Sequence, residues 1–485
     1  MGVAPRLKEV CLACPGNLYH FPGLKDEELP RTDYRVLPTR YPFYFKVAQN
    51  EFEQILREHL YANYSLRPEY NTELVQLSQN QDCAKAVIRL PSGEKEEVSY
   101  PYVVGCDGVK SFVREAAGIK FIGRVVSAMA MMDVPLTGVD FDDRWMNYFF
   151  NRDLFINCTR MPGNVYRIYM SEGTGEYVYA EDKRKSFQEV ANKIGVNIQL
   201  GEPEWATAWE IRNNIAERYR NQQLLICGDA SHVHSPSGGQ GMNGCMQDAF
   251  NLGWKLAAVL DGDADQKILD TYEMERRPIG EQISKGAQEN HDIVMGFGVD
   301  LDKRLAMTKV PNWERDTIYL VSGLAHNYRD VVSTPSGLTQ VRGPCPGERA
   351  LDVLLLKSPQ RYLYDICRRP RFILLVVPGE DEDEHIQLAT QVRDSMEKQF
   401  GDHVNTILIS NRRDTGFGVD YRFRFEEREL FEKYEIGSEG RLIIIRPDLY
   451  IGMTCIPEEW KATLEYMSQW FVSTQPEPST LSAQP

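Results

Sequence analysis

The segment ICGDASHVHSPSGGQGMNG, residues 226–244, contains the motif on which the interpretation of the fold depends. Within it, residues 239–244 read GQGMNG and match G-x-G-x-x-G, the pattern of dinucleotide-binding loops. In a Rossmann unit the glycines come directly after the strand, so that the helix N-terminus faces the pyrophosphate. Here the predicted strand ends at Asp229, and nine residues separate it from Gly239. The match is therefore not the first turn of a Rossmann unit.

The same segment nevertheless has the features of a ligand-binding turn. Gly238, Gly239 and Gly241 leave backbone N–H groups uncovered at the start of a helix predicted over residues 241–260. The positive end of the helix dipole lies behind these groups, which favours an anionic or carbonyl-rich ligand. Asp229, at the end of a strand, can accept a hydrogen bond from a ribose-like or ribityl hydroxyl. We therefore predict a ligand site along this edge.

The predicted helix over residues 241–260 carries apolar side chains at helical spacing. Such a stripe is typical of a helix that packs against a protein core. We expect the stripe to be buried, and it comprises Met242, Met246, Ala249, Leu252, Leu256 and Val259.

Composition and charge exclude several classes of function. The chain has 485 residues, 42% hydrophobic and 26% charged, and a net charge of −15 without any cluster of Lys and Arg. Nucleic-acid binding needs such clusters, so we expect no nucleic-acid partner. The first fifteen residues lack an apolar signal segment, and the longest apolar run, residues 372–377, is too short to span a bilayer. We predict a cytoplasmic protein without a membrane span.

Two close pairs of metal-binding residue types occur, and neither predicts a metal site. Cys11 and Cys14 have no second cysteine pair or histidine pair nearby, so we interpret them as ordinary thiols. His232 and His234 lie on an extended loop, where we expect their rings to point to opposite faces. A zinc site needs about four converging ligands, so we expect no metal.

The distribution of apolar runs, turns and helical segments along the chain predicts an α/β fold with several domains. Residues 102–107, YVVGCD, are apolar up to Asp107, as in a strand buried on both faces of a parallel sheet. From residue 121 to 210, strand-like runs alternate with turns, which indicates an inserted antiparallel sheet. After residue 345, apolar strands alternate with a helix, which indicates a separate small α/β domain.

Several motifs together resemble one enzyme family. GDASHVHSPSGGQGMNGCMQDAFNLGWKLA at 228–257, VVGCDGVKSFVR at 103–114 and LDTYEMERRP at 269–278 resemble motifs of FAD-dependent aromatic monooxygenases with the p-hydroxybenzoate hydroxylase fold. PGERALDVLL at 346–355 and GRLIIIRPDLYIG at 440–452 are similar to the thioredoxin-like third domain of the phenol hydroxylase subgroup. The resemblance covers nearly the whole chain.

This resemblance implies a domain plan and a reaction. The expected domains are a first part of the FAD-binding domain (1–120), an antiparallel substrate-binding sheet (121–210), a second FAD-binding part (211–300), a linker (301–345), a thioredoxin-like domain (346–472) and a disordered tail (473–485). The implied activity is NAD(P)H- and O2-dependent hydroxylation of a phenolic or polyketide-like aromatic small molecule, in secondary or aromatic metabolism. The implied assembly is a homodimer.

The resemblance also assigns roles to individual residues. Arg167 and Tyr169 match a family Arg-x-Tyr beside the flavin ring and would be catalytic. Trp209 stands where relatives often have a tyrosine that contacts the phenol, which implies a less polar pocket. Without the resemblance, Arg167 and Tyr169 would be interpreted as a solvated pair on a strand. The residues implied to bind the cofactor are Gln49, Asp107, Asp229, Pro236, Gly239, Gln240, Gly241, Met242 and Asn243.

The family opens with a strand, a G-x-G-x-x-G turn and a helix, whereas residue 1 of this chain falls in sequence that resembles the segment after that unit. We expect the unit to be encoded upstream, and a chain without it to purify without bound FAD. The alternative function is therefore a truncated homologue that dimerises without catalysis. A flavin halogenase is disfavoured, because residues 205–211 have the wrong spacing for the halogenase motif and Arg212 replaces its proline.

Overall fold

The computed structural model describes residues 2–357, 360–380, 382–410 and 429–471. The predicted disordered tail, 473–485, lies outside the described residues. The chain divides into two compact units. The first contains residues 2–246 and 280–325, and the second contains residues 247–279 together with the described residues from 326 onward. Among the described helices, none combines the length and apolar character needed to cross a membrane.

The described residues form both β-strands and α-helices. The strands are β1 Leu12–Cys14, β2 Gly16–His20, β3 Arg31–Asp33, β4 Tyr44–Lys46, β5 Glu73–Gln79, β6 Ala84–Arg89, β7 Lys95–Tyr100, β8 Val103–Gly105, β9 Phe121–Val134, β10 Leu136–Thr137, β11 Met146–Phe150, β12 Leu154–Arg160, β13 Tyr166–Glu172, β14 Gln199–Leu200, β15 Trp205–Ala216, β16 Arg220–Asn221, β17 Leu224–Ile226, β18 His232–Val233, β19 Leu354–Lys357, β20 Gln360–Tyr362, β21 Phe372–Val377, β22 Val404–Leu408, β23 Arg441–Ile445 and β24 Ile451–Cys455. The helices are α1 Ala4–Val10, α2 Gln49–Tyr64, α3 Phe112–Ala116, α4 Lys183–Ile194, α5 Gly241–Leu260, α6 Asp270–Met295, α7 Leu301–Met307, α8 Trp313–Val321, α9 Leu363–Ile366, α10 Glu382–Phe400, α11 Glu429–Lys433 and α12 Lys461–Ser468.

The first unit is built around an eight-stranded sheet with the order β18-β15-β9-β13-β12-β11-β2-β3. Successive side chains of a strand point to opposite faces of the sheet. On one face, apolar residues of β9, β12 and β13 pack against helix α4, and each fully buried side chain of this size contributes about 1.5–3 kcal/mol. This layer includes Ala130, Met132, Val134, Ile156, Ile168, Met170, Phe187 and Val190. The intervening residues therefore face the other side of the sheet.

Two strands from the N-terminal region belong to this sheet. β2 pairs in parallel with β11, with Tyr19 opposite Tyr148, and β3 pairs with β2. The sequence interpretation assigned residues 1–120 to the FAD-binding domain and residues 121–210 to the substrate-binding sheet. The observed sheet extends beyond residues 121–210, because it also includes β2 and β3. The domain boundaries as a whole remain a prediction.

A smaller sheet contains the predicted buried parallel strand. β8 pairs in parallel with β17, and β16 completes the sheet at the other side of β17. At Gly105 a Cβ atom would lie 2.5 Å from the Cβ of Val113, so only glycine allows helix α3 to approach the strand. Ser111 accepts a hydrogen bond from the Arg114 N–H and begins that helix.

The second unit contains a mixed four-stranded sheet with the order β22-β21-β23-β24. β21 and β22 are parallel and are connected through helix α10, whereas β23 and β24 pair antiparallel. The β21 residues Ile373, Leu375 and Val377 pack with Ile443 and Ile445 of β23 in a buried core. Together with the first unit, this arrangement confirms the predicted α/β, multi-domain fold class.

Helix α5 has the predicted bounds, but the predicted buried stripe is confirmed only in part, because Leu252 is buried and Met246, Leu256 and Val259 are half-buried. Met242 is 49% exposed and Ala249 is also exposed, whereas Asp248, Asn251 and Lys255 are buried. Polar side chains can be buried when each has a partner. The prediction is wrong at Met242 and Ala249, because hydropathy does not reveal the partners that a charged residue meets in the folded chain.

Those partners form a buried network in the second unit, here called the Glu275 network. The carboxylate of Glu275 accepts hydrogen bonds from Lys255 at 2.7 Å and from both terminal nitrogens of Arg446 at 2.7 Å. Arg446 also donates to Asp448, and the amide of Asn251 bridges Glu275 and Asp448. All four charged side chains are at most 2% exposed.

Candidate active site

Asp107 and Asp229 lie at one edge of the small parallel sheet. They come after β8 and β17, whose ends are joined by a 2.9 Å hydrogen bond from the Cys227 N–H to the Gly105 carbonyl. Both aspartates are exposed. Ligands of open α/β sheets bind beyond the carboxyl ends of the strands, so this position is suited to a cofactor. We call this place, together with residues 235–243, the ligand edge.

Each aspartate is oriented by a neighbouring helix. One carboxylate oxygen of Asp107 accepts a 3.1 Å hydrogen bond from the Val113 N–H at the start of α3. The Asp229 Oδ1 atom accepts a hydrogen bond from the Cys245 Sγ at 3.3 Å, in the first turns of α5. The two carboxylates are therefore held in place and remain accessible from solvent.

The glycine turn ends in a residue with left-handed backbone. Residues 236–238 form one turn of 3-10 helix, which the Ser235 side chain caps, and Gly239 is next with a φ of 62°. A side chain at Gly239 would be strained in this conformation. Helix α5 then begins at Gly241, where an added Cβ would meet no atom within 4 Å. The backbone at the helix start is thus uncovered.

The ligand edge fits the flavin cofactor that the sequence resemblance implies. Pro236, Gly239, Met242 and Asn243 are all exposed, which gives a strip of backbone polar groups beside one large apolar side chain. A flavin combines a flat, largely apolar ring with a polar ribityl chain, so it needs this combination of surfaces. Gln240 differs, because it is 3% exposed and could contact the cofactor only through its backbone.

Gln49 is not brought into hydrogen-bonding contact with the described residues of the ligand edge. It begins helix α2, is exposed, and donates a 2.9 Å hydrogen bond to Glu53. Tyr44 of β4, which lies five residues before Gln49 in sequence, is close to the turn instead. A Cβ atom added to Gly239 would lie 3.6 Å from the Tyr44 hydroxyl. That hydroxyl is hydrogen-bonded to the hydroxyl of Tyr34 at 2.5 Å. Sequence reasoning missed Tyr44, since no motif contains it.

The predicted orientation of the two histidines before the turn is wrong. The rings of His232 and His234 are stacked, with centroids 6.3 Å apart and planes at 9°. Residues two apart in an extended strand share a face, and His232 lies in strand β18. Burial lowers the pKa of His234 to about 4, so its ring is neutral near pH 7.

Arg167, Tyr169 and Trp209 lie on the face of the large sheet that points away from α4. Tyr169 is opposite Met131 of the central strand β9, and Trp209 is opposite Met129 of the same strand. Because these positions are separated by even numbers of residues along each strand, the three predicted site residues share one face. We call it the site face.

The site face is largely apolar around Tyr169 and Trp209. Burial raises the pKa of Tyr169, so its phenol stays protonated at neutral pH, although the nearby Arg167 guanidinium opposes this effect. The surrounding cluster includes residues from the sheet and from the end of α6: Tyr19, Phe21, Met129, Tyr148, Phe150, Phe155, Ile293, Val294 and Met295. Such a surface is suited to an aromatic ligand.

Arg167 is held by a carboxylate that the sequence did not reveal. Its Nε and a terminal nitrogen donate to the two oxygens of Asp133 at 2.9 and 2.8 Å. The indole N–H of Trp205 donates to Asp133 at 2.8 Å. The three residues are directly opposite one another on β13, β9 and β15, and we call them the clamp.

The ligand edge and the site face are connected through strand β15. β18, which lies between Asp229 and the glycine turn, pairs with β15, with Val233 opposite Asn214. Trp209 belongs to the same strand β15. The predicted cofactor residues from Asp229 onward and the predicted substrate residues therefore belong to one continuous structure.

Comparisons with known proteins identify the family to which the chain belongs. A family model described as FAD binding domain matches residues 10–287, which is more than half of the chain. Pentachlorophenol 4-monooxygenase from Sphingobium chlorophenolicum is 38% identical over 455 residues, covering 93% of this chain and 83% of that protein. 6-Methylpretetramide 4-monooxygenase from Streptomyces rimosus is 33% identical over 297 residues, 58% of this chain and 53% of that protein.

Solved structures show the same fold. OxyS anhydrotetracycline hydroxylase from Streptomyces rimosus superposes with a TM-score of 0.73 at 26% identity, covering 97% of this chain and 88% of its own. The flavin-dependent monooxygenase PieE, solved with FAD and substrate, has a TM-score of 0.74 at 19% identity, covering 96% and 90%. The chain belongs to the family of FAD-dependent aromatic monooxygenases.

Proposed function

We propose that this enzyme hydroxylates a phenolic or polyketide-like aromatic small molecule, with NAD(P)H as reductant and O2 as oxygen donor. The observation that carries the proposal is the continuity of the ligand edge with the site face through β15 and β18. Relatives named for pentachlorophenol and for tetracycline precursors support an aromatic substrate.

The residues of the ligand edge would hold FAD. Asp229 would accept a hydrogen bond from the ribityl chain, and the exposed backbone at Gly239 and at the start of α5 would face the polar part of the cofactor. Pro236 and Met242 would contact the ring, and Asp107 would lie near the cofactor and the incoming nicotinamide. FAD, when bound, supplies the redox chemistry by which O2 is activated with electrons from NAD(P)H.

The residues of the site face would bind and orient the aromatic substrate. The protonated phenol of Tyr169 can donate a hydrogen bond to the oxygen of a phenolic substrate. Trp209 would form an apolar wall of the pocket, and the surrounding aromatic and aliphatic side chains would exclude water. Two hydrogen bonds to Asp133 hold the Arg167 guanidinium in place. Arg167 also interacts with Tyr169 and would thereby fix the position of that side chain.

Further features of the proposal concern the whole chain. We propose that residues 346–472 form a thioredoxin-like domain, which is supported by the strand order of its four-stranded sheet, second-first-third-fourth, with the third antiparallel to the first. We also propose the other predicted domain boundaries, a cytoplasmic location, a homodimer and no nucleic-acid partner. The non-catalytic alternative has weaker support, because the chain resembles monooxygenases over most of its length.

The test is NAD(P)H consumption by the purified chain with added FAD, measured with a panel of phenols and polyketide phenols. At least one member should stimulate the rate and yield a product heavier by one oxygen atom. The exchange of Trp209 for Tyr should shift the ranking of substrates toward more polar phenols. If no member of the panel stimulates NAD(P)H consumption above the rate without substrate, the proposal fails.

A further inference from the structure

Around Tyr169 and Trp209, the charged side chains on the site face are those of the clamp. Among positions 129–133, 155–159, 167–171 and 205–209, the residues that share this face include one cation, Arg167, and one anion, Asp133. Their side chains are 16% and 11% exposed, so both are close to solvent and to any ligand on the face.

The guanidinium of Arg167 is already engaged by Asp133. The two parallel hydrogen bonds, at 2.9 and 2.8 Å, use the Nε edge of the arginine, one of its two edges that match a carboxylate. The Asp133 carboxylate has a third donor, the Trp205 indole at 2.8 Å, which holds it in this orientation. The pair is therefore electrically neutral, and the Nε edge of the arginine is occupied, before any ligand arrives.

The clamp disfavours acidic ligands. An aromatic acid on the site face would have to displace Asp133 from the arginine or place its carboxylate beside that of Asp133. Either outcome costs binding free energy, because a partly buried carboxylate then lacks a cation or two like charges are adjacent. A ligand without an acidic group meets neither cost.

We propose that Asp133 is a specificity residue that reserves Arg167 and restricts the site to aromatic substrates without a carboxylate group. The inference rests on the proposed function, because it concerns the substrate of the same site. Trp205, which is 40% exposed, assists by fixing the carboxylate and by covering one side of the pair, with the guanidinium 5.8 Å from its ring centroid.

The test compares two ligands of nearly equal shape, 4-hydroxybenzoate and 4-hydroxybenzamide. Equilibrium dialysis with the full chain and added FAD gives the dissociation constant of each without requiring turnover. The wild-type protein should bind the amide at least tenfold more tightly than the acid. In Asp133→Asn, which keeps the shape and removes the charge, the affinity for the acid should rise at least tenfold, because Arg167 becomes available.

The matched control is Asp142→Asn, which breaks a similar two-nitrogen contact between Asp142 and Arg144 on the exposed surface. It should leave both dissociation constants unchanged. A second variant, Arg167→Gln, leaves Asp133 without its cation and should weaken binding of the acid further, so the test stands even where Asp133→Asn does not fold.

The outcomes separate this inference from the proposed function. Equal affinity of the wild-type protein for acid and amide, or no gain for the acid in folded Asp133→Asn, overturns the specificity role of Asp133 alone. Binding of neither ligand, together with no phenol-stimulated NAD(P)H consumption, overturns the proposed function and this inference with it.

Discussion

The Glu275 network and the clamp are both contacts between arginine and carboxylates, but they differ in burial and in surroundings. In the network, Glu275, Lys255 and Arg446 are at most 1% exposed, and every carboxylate faces a cation. In the clamp, Arg167 and Asp133 retain 16% and 11% exposure beside the exposed Trp205. A fully buried network can act only on stability, whereas a partly exposed pair can also meet a ligand.

The lowered pKa of Glu275 also indicates that the network acts on stability. Burial opposes the charge of Glu275, but Arg446 and Lys255 outweigh it and hold the pKa of the carboxyl well below its ordinary value. The charged form of Glu275 is thus built into the folded state. We expect changes in the network to alter stability, and changes on the site face or ligand edge to alter binding.

Glu275→Gln should have the greatest effect of the substitutions considered. It leaves two buried cations with less than their full counter-charge, which typically destabilises a protein by about 3–5 kcal/mol. The free energy of unfolding, measured by urea denaturation, should fall by this amount. Glu289→Gln, an exposed position on the same helix, is the control and should have little effect. Equal stability of both variants would refute the role of the network.

Gly239→Val should instead act on the cofactor. Valine at a φ of 62° is strained and would cover the exposed turn, so the affinity for FAD should fall at least about tenfold, or 1.4 kcal/mol. Fluorescence titration with FAD measures this directly. Gly253→Ala on helix α5, where an added Cβ meets no atom within 4 Å, should keep the wild-type affinity. A folded Gly239→Val protein with unchanged FAD affinity would disprove the assignment of the turn.

The dependence of stability on pH should reveal the buried state of His234, which lies in the loop before the glycine turn. The pKa of His234 is lowered from 6.5 to about 4 by burial, so the unfolded chain binds more protons between these values. Stability should therefore fall as the pH drops from 6.5 to 4, by up to about 1.4 kcal/mol per pH unit. In His234→Gln this slope should be shallower, while both proteins should behave alike at pH 7–8. Identical slopes below pH 6.5 would be inconsistent with the buried, neutral state of His234.

Tyr169→Phe should have a smaller effect than any of these changes, because it removes one hydrogen bond from the site face. A hydrogen bond of this kind is worth about 1 kcal/mol, so phenol should bind about fivefold more weakly. Toluene, which has no oxygen atom to accept a hydrogen bond from Tyr169, should be less affected. Tyr166→Phe, on the opposite face of the same strand, is the control. Equal losses for phenol and toluene would show that Tyr169 acts only by packing.

The sequence predicted the parts of the fold that depend on local patterns. The bounds of the helix from Gly241 to Leu260 are set by the glycines before it and the periodicity within it, and they match the structure. The parallel strand before Asp107 is indicated by its apolar run, and its pairing with β17 places Asp107 and Asp229 at one edge. Motif resemblance then supplied Arg167, Tyr169 and Trp209, which share the site face.

The rest depends on contacts between distant residues, which no local pattern records. The partners in the clamp, Asp133, Arg167 and Trp205, come from three strands, and nothing around Asp133 in sequence marks it as a partner of arginine. The same holds for Lys255 and Arg446, which meet only in the folded chain. The parallel pairing of β2 with β11 was missed for this reason too.

A single-turnover reaction under ¹⁸O2 tests whether this site transfers oxygen to an aromatic ring. The full chain with added FAD, NADPH and a phenol that stimulates NADPH consumption is quenched, and the aromatic product is analysed by mass spectrometry. We expect a product with one ¹⁸O atom on the ring, and a reduced yield of it in Tyr169→Phe. NADPH oxidation that gives only hydrogen peroxide with every phenol, and no labelled product, would show that the site face does not support hydroxylation.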